Sequence, residues 1–413
     1  MKSIILTIGD ELLIGQVVNT NAAFIAEKLN DVGIEVVRML TVGDDEDEIV
    51  RAFEESFRTF DVVVVTGGLG PTHDDVTKKA VCRFFQTDLI PDPEARKSIE
   101  KFLKERKYAW SAASEEQCLV PRGAVVIPNS HGTAPGELFQ RENRFFIVLP
   151  GVPHEMEYMI DEFVVPFFKS KSGGTFILHR TLKTVGISET VLATRLGPPG
   201  GFLEGARLAF LPSPSGVRMR ITVIDTDRTA AEERIRRIES HIRAAAGPCI
   251  YGTGVEELAE AVGTILRERQ LRIAVAESCT GGLIAHKLTD VPGASAYLDR
   301  AVVTYSDRSK TDLLGVPAEL IRKHGAVSRE VAEAMAAGIR TGSGADIGLS
   351  TTGIAGPTGG SPEKPVGLVW IGYSDANKTS AVEFRFGTER LIIKERAAQA
   401  ALDRVRKGIL GLE

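Results

Sequence analysis

Asp61-Val-Val-Val-Val-Thr66, running straight into Gly67-Gly68-Leu69-Gly70, is the stretch that decides the fold. A β-branched run bounded by an acidic residue and by glycines reads as a strand buried on both faces, as in the middle of a parallel sheet. Glycines at its exit mark a strand handing over to a helix, and in open α/β sheets ligands bind at such carboxyl ends. The flanking segments keep the alternation. Lys2 to Ile8 alternates and then runs apolar, Asn21 to Leu29 has helical spacing, and Ile34 to Leu40 is β-branched. Asp47 to Phe57 and Asp75 to Phe85 are again helical. Arg144 to Leu149 resumes the sheet, and a helix begins near Pro153. Such βαβαβ order predicts a parallel sheet covered by helices.

The whole chain has 413 residues, which predicts two or three domains. Lys+Arg 50 against Asp+Glu 55 leaves a net charge of −5, which argues against general nucleic-acid binding. No window reaches the roughly 18 apolar residues of a membrane span, so no membrane partner is expected. Met1 leads directly into a strand pattern with no basic or apolar leader, which predicts a cytoplasmic protein. Cys82, Cys118, Cys249 and Cys279 are scattered without a C-x-x-C pair, excluding a disulfide scaffold and a zinc ribbon. Breaks at Lys169–Gly174 (KSKSGG) and Gly252-Thr-Gly254 divide the chain into 1–168, 175–250 and 255–413. The middle segment reads β-α-β-β-α, an α+β module. Its Gly197-Pro-Pro-Gly200 is formally the G-x-x-G of KH nucleic-acid modules, but with no basic residue inside it reads as a proline-stiffened turn.

In the last segment Ala276-Glu-Ser-Cys-Thr-Gly-Gly282 lies between a strand, Arg272 to Ala276, and a helix starting at about Thr280. A hydroxyl there sits near unpaired N–H groups at the positive end of a helix dipole, donors able to hold an oxyanion. Ser278 is thus either a nucleophile or a helix N-cap. Cys279 is a rival nucleophile, without a histidine in a supporting motif. Val303-Thr-Tyr-Ser-Asp-Arg-Ser-Lys310 ends another strand and enters a helix, and in such a fold Tyr305 and Lys310 face back toward Ser278. A Ser–Lys pair works as nucleophile and base when the ammonium is desolvated; the alternative is a solvated lysine. Thr352-Gly-Ile-Ala-Gly-Pro-Thr-Gly-Gly360 suits a backbone cradle for an anion. It matches neither the P-loop nor the dinucleotide fingerprint. Arg390, opening the last helix, is placed to clamp a phosphate.

The first segment gathers Gly9-Asp-Glu-Leu-Leu-Ile-Gly15, Asn19-Thr-Asn21 and Thr66 to Thr77 at one sheet edge. Asp10 and Glu11 are read as ending the first strand, and Asp74 and Asp75 as opening a helix. Carboxylates beside glycine turns suit a Mg²⁺-like divalent metal bridging to a diphosphate. Glu11, Asp74 and Asp75 are the metal candidates, and Gly67, Gly68, Gly70 and Thr72 the diphosphate-binding ones. One aspartate reads alternatively as an N-cap. His73, His154 and Glu155 are open to a ligand or acid role and to a plain surface role.

AESCTGG, VTYS-x-x-x-K, GAVS (Gly325 to Ser328), TTGIAGPTGG and EKPVG (Glu363 to Gly367) together resemble the nicotinamide-nucleotide amidase domain of the CinA family, over about residues 255 to 411. The resemblance implies hydrolysis of nicotinamide mononucleotide to nicotinate mononucleotide and ammonia, without a cofactor. It makes Ser278 the nucleophile, Lys310 its base and Tyr305 an assisting hydroxyl. It puts Thr280, Gly281, Gly282, Gly353, Ala355, Gly356 and Arg390 at substrate-binding positions. The full chain is similar to the three-domain CinA architecture, and TGGLGPTHDDVT resembles the GG-x-G…DVT signature of molybdopterin-binding proteins. The implied fold class is α/β: an N-terminal molybdopterin-binding-like three-layer domain, a small α+β KH-type module and a C-terminal α/β amidase domain. The first domain is associated in that family with divalent-metal-dependent ADP-ribose pyrophosphatase activity. The resemblance therefore implies a bifunctional pyridine-nucleotide salvage enzyme, a homodimer, acting on nicotinamide mononucleotide and ADP-ribose. Two other readings stand beside it. The N-terminal domain is a non-catalytic pterin- or nucleotide-binding module, or the chain joins nucleic acid in competence or repair through its middle module.

Overall fold

The computed structural model describes residues 1–70, 75–171 and 174–412. They divide into two compact units, Met1–Leu178 with Val223–Glu233, and His179–Thr222 with Arg234–Glu413.

The first unit runs β1 (Lys2–Ile8), α1 (Asp10–Leu13), α2 (Thr20–Asp31), β2 (Glu35–Val42), α3 (Glu46–Thr59), β3 (Val62–Thr66) and α4 (Thr77–Phe85). It continues with β4 (Leu89–Pro91), α5 (Pro93–Arg106), α6 (Ala112–Gln117), β5 (Leu119–Pro121) and β6 (Val125–Ile127). β7 (Gly136–Arg141), β8 (Arg144–Leu149), α7 (Pro153–Met159) and α8 (Val165–Lys169) follow. The main sheet has the order β2-β1-β3-β8-β7-β6. Its first four strands are parallel, as the alternation predicts, and β7 and β6 extend it antiparallel. Every residue of β3 is buried, because helices cover both faces. Ile4, Leu6, Val63 and Val65 pack with Ile49 and Phe53 of α3 and Ala80 of α4. The alternate residues Ile5, Val62 and Val64 pack with Ile25 and Leu29 of α2 and Met156 of α7. This period-two division of one strand between two cores makes the three layers. Asp10 and Glu11 do not end the first strand. β1 stops at Ile8, Gly9 takes φ 154°, and the two acids open α1.

The middle segment contributes β9 (Phe176–Thr184), α9 (Glu189–Leu196), β10 (Arg207–Ser213), β11 (Gly216–Asp225), α10 (Arg228–Ala246) and β12 (Ile250–Thr253). Its sheet has the order β10-β11-β9-β12. The Gly197–Gly200 string closes α9 and enters a short 3₁₀ turn at Pro199–Gly201, the proline-stiffened turn expected of it.

The C-terminal segment runs α11 (Leu258–Glu268), β13 (Ile273–Glu277), α12 (Leu283–Thr289), β14 (Leu298–Val303), α13 (Asp307–Leu314) and α14 (Ala318–His324). It ends with α15 (Arg329–Ser343), β15 (Ile347–Gly353), β16 (Leu368–Ser374), β17 (Thr379–Arg385) and α16 (Arg390–Leu410). The sheet order is β14-β13-β15-β16-β17, parallel across the first three strands and antiparallel beyond. Val275 and Ile273 face α11 and α16, whereas Ala274 and Ala276 face α15. Because β13, β14 and β15 are parallel, their carboxyl ends bring Glu277, Val303 and Thr351 to one edge of the sheet. Among the described residues, no helix is long and apolar enough to cross a membrane.

Candidate active sites

At the C-terminal sheet edge a capping box made by Ser306 and Ser309 starts α13 and turns Lys310 inward. Lys310 is 1% exposed. Its Nζ donates to Ser278 Oγ at 3.3 Å and to the Thr304 carbonyl at 2.8 Å. Burial lowers the lysine pKa from its ordinary value, against weaker pulls from Asp307 and Cys279. A lysine so placed can lose its proton and then accept one from Ser278. The thiol next door is in the opposite condition. Burial pushes Cys279 up to about 12, so it stays protonated at neutral pH.

Glu277 decides what lies around Ser278, and its role has no precedent in the motif reading. It is the last residue of β13 and is fully buried. Its Oε2 accepts from the backbone N–H groups of Gly282 at 2.9 Å and Ile284 at 3.3 Å, and its Oε1 from that of Ala285 at 2.8 Å. The N-terminus of α12 is therefore occupied by a carboxylate of the protein. This corrects two expectations: these N–H groups are not left for a substrate oxyanion, and Ser278 is not the helix cap. Helix α12 starts later than expected, at Leu283, because Gly281 and Gly282 take φ values of 62° and 93°. That turn brings the Gly281 N–H onto the Ser278 carbonyl at 3.1 Å.

The residues expected at substrate-binding positions have mixed environments. Thr280 is fully buried, its hydroxyl bonded to that of Thr351 at 2.8 Å, which ties the turn to β15. Gly353 ends β15, where a Cβ would press on the Leu368 carbonyl at 2.7 Å, and Ala355 is buried. The Gly356 carbonyl accepts from Arg390 Nη1 at 2.6 Å, and Arg390 Nη2 donates to the Tyr305 hydroxyl at 3.2 Å. Tyr305 is exposed, and its hydroxyl bonds to Arg390 rather than to Ser278 or Lys310.

In the first unit a cleft of about 450 Å³ opens at the carboxyl ends of β1, β3 and β8, and Glu11, Asp44, Asp75 and Glu155 all line it. Gly9 has no Cβ to obstruct the Glu11 carboxylate, which lies 2.5 Å from where one would stand. Asp75 is not an N-cap. Val76 holds the cap position of α4, and Asp75 Oδ1 turns back to accept from the Gly70 N–H at 2.8 Å. The Gly67 N–H donates to the Leu149 carbonyl at 3.1 Å. Two of the glycine N–H groups expected to cradle a diphosphate are thus engaged by the protein itself. Asp10 and Asp44 each accept from the other's backbone N–H, at 3.2 Å and 3.0 Å, which fixes α1 beside the cleft. Thr72, His73 and Asp74 lie outside the described residues. Among the described residues, no three of His, Cys, Asp and Glu come together as a metal cage. The carboxylates that do line the cleft are hard oxygen donors of the kind a Mg²⁺-like ion takes.

Three family models match the chain. The "CinA C-terminal domain" covers residues 255–409, the "Probable molybdopterin binding domain" 4–170, and the "Damage-inducible protein CinA KH domain" 179–252. A CinA-like protein of Chloroherpeton thalassium is 44% identical over 416 residues, spanning 98% of this chain and 99% of that protein. One of Chlorobium limicola is 44% identical over 408 residues, spanning 96% and 95%. Among solved structures, the competence/damage inducible protein CihA from Agrobacterium tumefaciens is 43% identical, covering 36% of this chain and 92% of that one with a TM-score of 0.36.

Proposed function

This chain belongs to the CinA family, and from that premise we propose that its C-terminal segment hydrolyses the carboxamide of nicotinamide mononucleotide. The observation that carries the reading is the fully buried Lys310, hydrogen-bonded to Ser278 and pushed by burial toward its neutral form. Neutral Lys310 takes the hydroxyl proton as Ser278 Oγ attacks the carboxamide carbon. The tetrahedral adduct collapses as the C–N bond breaks, and the lysine proton goes to the nitrogen that leaves as ammonia. Water then attacks the Ser278 ester as Lys310 takes its proton, and the lysine returns that proton to Ser278 Oγ as the C–O bond breaks, giving nicotinate mononucleotide and the free serine. Tyr305, whose hydroxyl accepts from Arg390, is the assisting hydroxyl of this proposal.

For the first unit we propose metal-dependent hydrolysis of the ADP-ribose diphosphate in the cleft lined by Glu11 and Asp75. A Mg²⁺-like ion held there would neutralise charge on the diphosphate oxygens. Segment boundaries at 1–168, 175–250 and 255–413, and a homodimeric state, belong to the same proposal.

The test is ammonia release from nicotinamide mononucleotide by the full chain, with ADP-ribose turnover measured with and without a chelator. Ser278→Ala should abolish ammonia release, and Cys279→Ala should keep most of it; the reverse pattern would overturn the serine assignment. Asp75→Asn should lose chelator-sensitive ADP-ribose turnover and leave the amidase intact. Full turnover in Asp75→Asn would remove this carboxylate from the reaction and favour a pterin- or nucleotide-binding first domain.

A further inference from the structure

Lys394 stands on α16 four residues beyond Arg390, so the two cations share one helix face. A Cβ placed on Gly281 would lie 3.5 Å from Lys394 Nζ and 3.9 Å from its Cε, which sets the ammonium over the turn that closes on Ser278. Gly281 has φ 62°, a conformation that favours glycine, and the lack of a side chain keeps the space beside the ammonium open. Lys394 is half-buried, and among the described residues it makes no hydrogen bond or ion pair. The carboxylate next to it in sequence does not neutralise it. Glu395 accepts from Lys287 at 2.9 Å and from Ser215 at 3.1 Å. An ammonium with no protein counter-charge, set beside an open glycine turn, keeps its donors available to an anion. Arg390, by contrast, is engaged with the Gly356 carbonyl and the Tyr305 hydroxyl. Its remaining donors can assist at a site whose charge lies one turn further along.

We propose that Lys394 holds the phosphate of the mononucleotide substrate and sets the preference for a nucleotide over the unphosphorylated nucleoside. This rests on the amidase reading. Lysine serves here as a point charge, which suits a phosphate arriving at an open surface turn. Removing a charge-assisted contact of this kind weakens binding about 10- to 100-fold.

The experiment compares the full chain with Lys394→Gln and Lys394→Arg. Ammonia release from nicotinamide mononucleotide is followed at steady state, and ribose 5-phosphate binding by calorimetry. Lys394→Gln should raise KM about 10- to 100-fold with kcat within about threefold, and should weaken ribose 5-phosphate by the same factor. Lys394→Arg should restore most of both. A fall in kcat with KM and ribose 5-phosphate affinity unchanged would place Lys394 at the reacting amide and overturn the proposal, as would no change at all. Should the wild-type chain release no ammonia, the amidase reading fails, and calorimetry still decides the phosphate site. Weaker ribose 5-phosphate binding by Lys394→Gln supports it; equal binding, or none by the wild type, overturns it.

Discussion

Exchanging Glu277 for glutamine replaces one carboxylate oxygen by an NH₂ group while keeping the size of the side chain. In the native arrangement one oxygen accepts two N–H groups, those of Gly282 and Ile284, and the other accepts that of Ala285. A glutamine offers an oxygen to one side only. In either orientation its NH₂ then faces at least one buried N–H donor that has lost its acceptor. A buried donor left without a partner costs about 1–3 kcal/mol. Withdrawing the negative charge from the start of a helix adds about 0.3–1 kcal/mol. The expected loss is about 1.3–4 kcal/mol, and at about 1.4 kcal/mol per tenfold the turn should open about 8- to 700-fold more often. Hydrogen exchange of the 282–285 amides in the full chain reads this directly, because local opening governs their protection. Ser278 stands between Glu277 and this turn, so kcat for ammonia release should fall more than KM rises. Protection unchanged within threefold, together with a wild-type kcat, would refute the claim that this carboxylate positions the nucleophile.

Two further outcomes follow from buried charges. Burial depresses Lys310, with Asp307 opposing, so the neutral base accumulates as pH rises: kcat/KM should climb with pH and level off, its inflection below the ordinary lysine value of 10.5. Lys310→Arg, which cannot deprotonate, should be inactive, and a profile with no rising inflection at any pH below 10.5 would exclude the lysine as base. In the first unit Glu137 is fully buried, neither of its oxygens has a hydrogen-bond partner among the described residues, and burial raises it from 4.5 to about 7. The folded state then holds a proton that the unfolded chain releases between these values. Stability should therefore be greatest below pH 4.5 as far as this group is concerned, and fall by about 3 kcal/mol as pH rises through 7. Urea unfolding at pH 5 and pH 8 should show this slope reduced in Glu137→Gln; an identical slope in the variant would show that the carboxylate is not its source.

The central strands were legible because burial on both faces leaves an unbroken apolar run in the chain, as at Val62–Thr66, and no solvent pattern competes with it. The stretch from β4 to β6 was not legible. Leu89–Pro91, Leu119–Pro121 and Val125–Ile127 are three residues each, too short to show a period, and are strands only through the partners that tertiary folding brings. The pairing of Ser278 with Lys310 was readable from two strand-to-helix junctions and the resemblance they carry. What surrounds the pair was not, because a sequence shows which donors exist and not which are already engaged. The N–H groups before α12 read as vacant until Glu277 is seen folding forward onto them. Gly67 and Gly70 read as a cradle until their N–H groups are found on Leu149 and Asp75. Arg390 read as a phosphate clamp, and its guanidinium also donates to the Gly356 carbonyl and the Tyr305 hydroxyl, which the sequence did not show. Lys394, unremarkable in an α-helical run, is among the described residues a cation left unpaired beside the turn at Ser278. Local chemistry collects the groups at the sheet edge; closure of the fold determines which of them remain for a ligand.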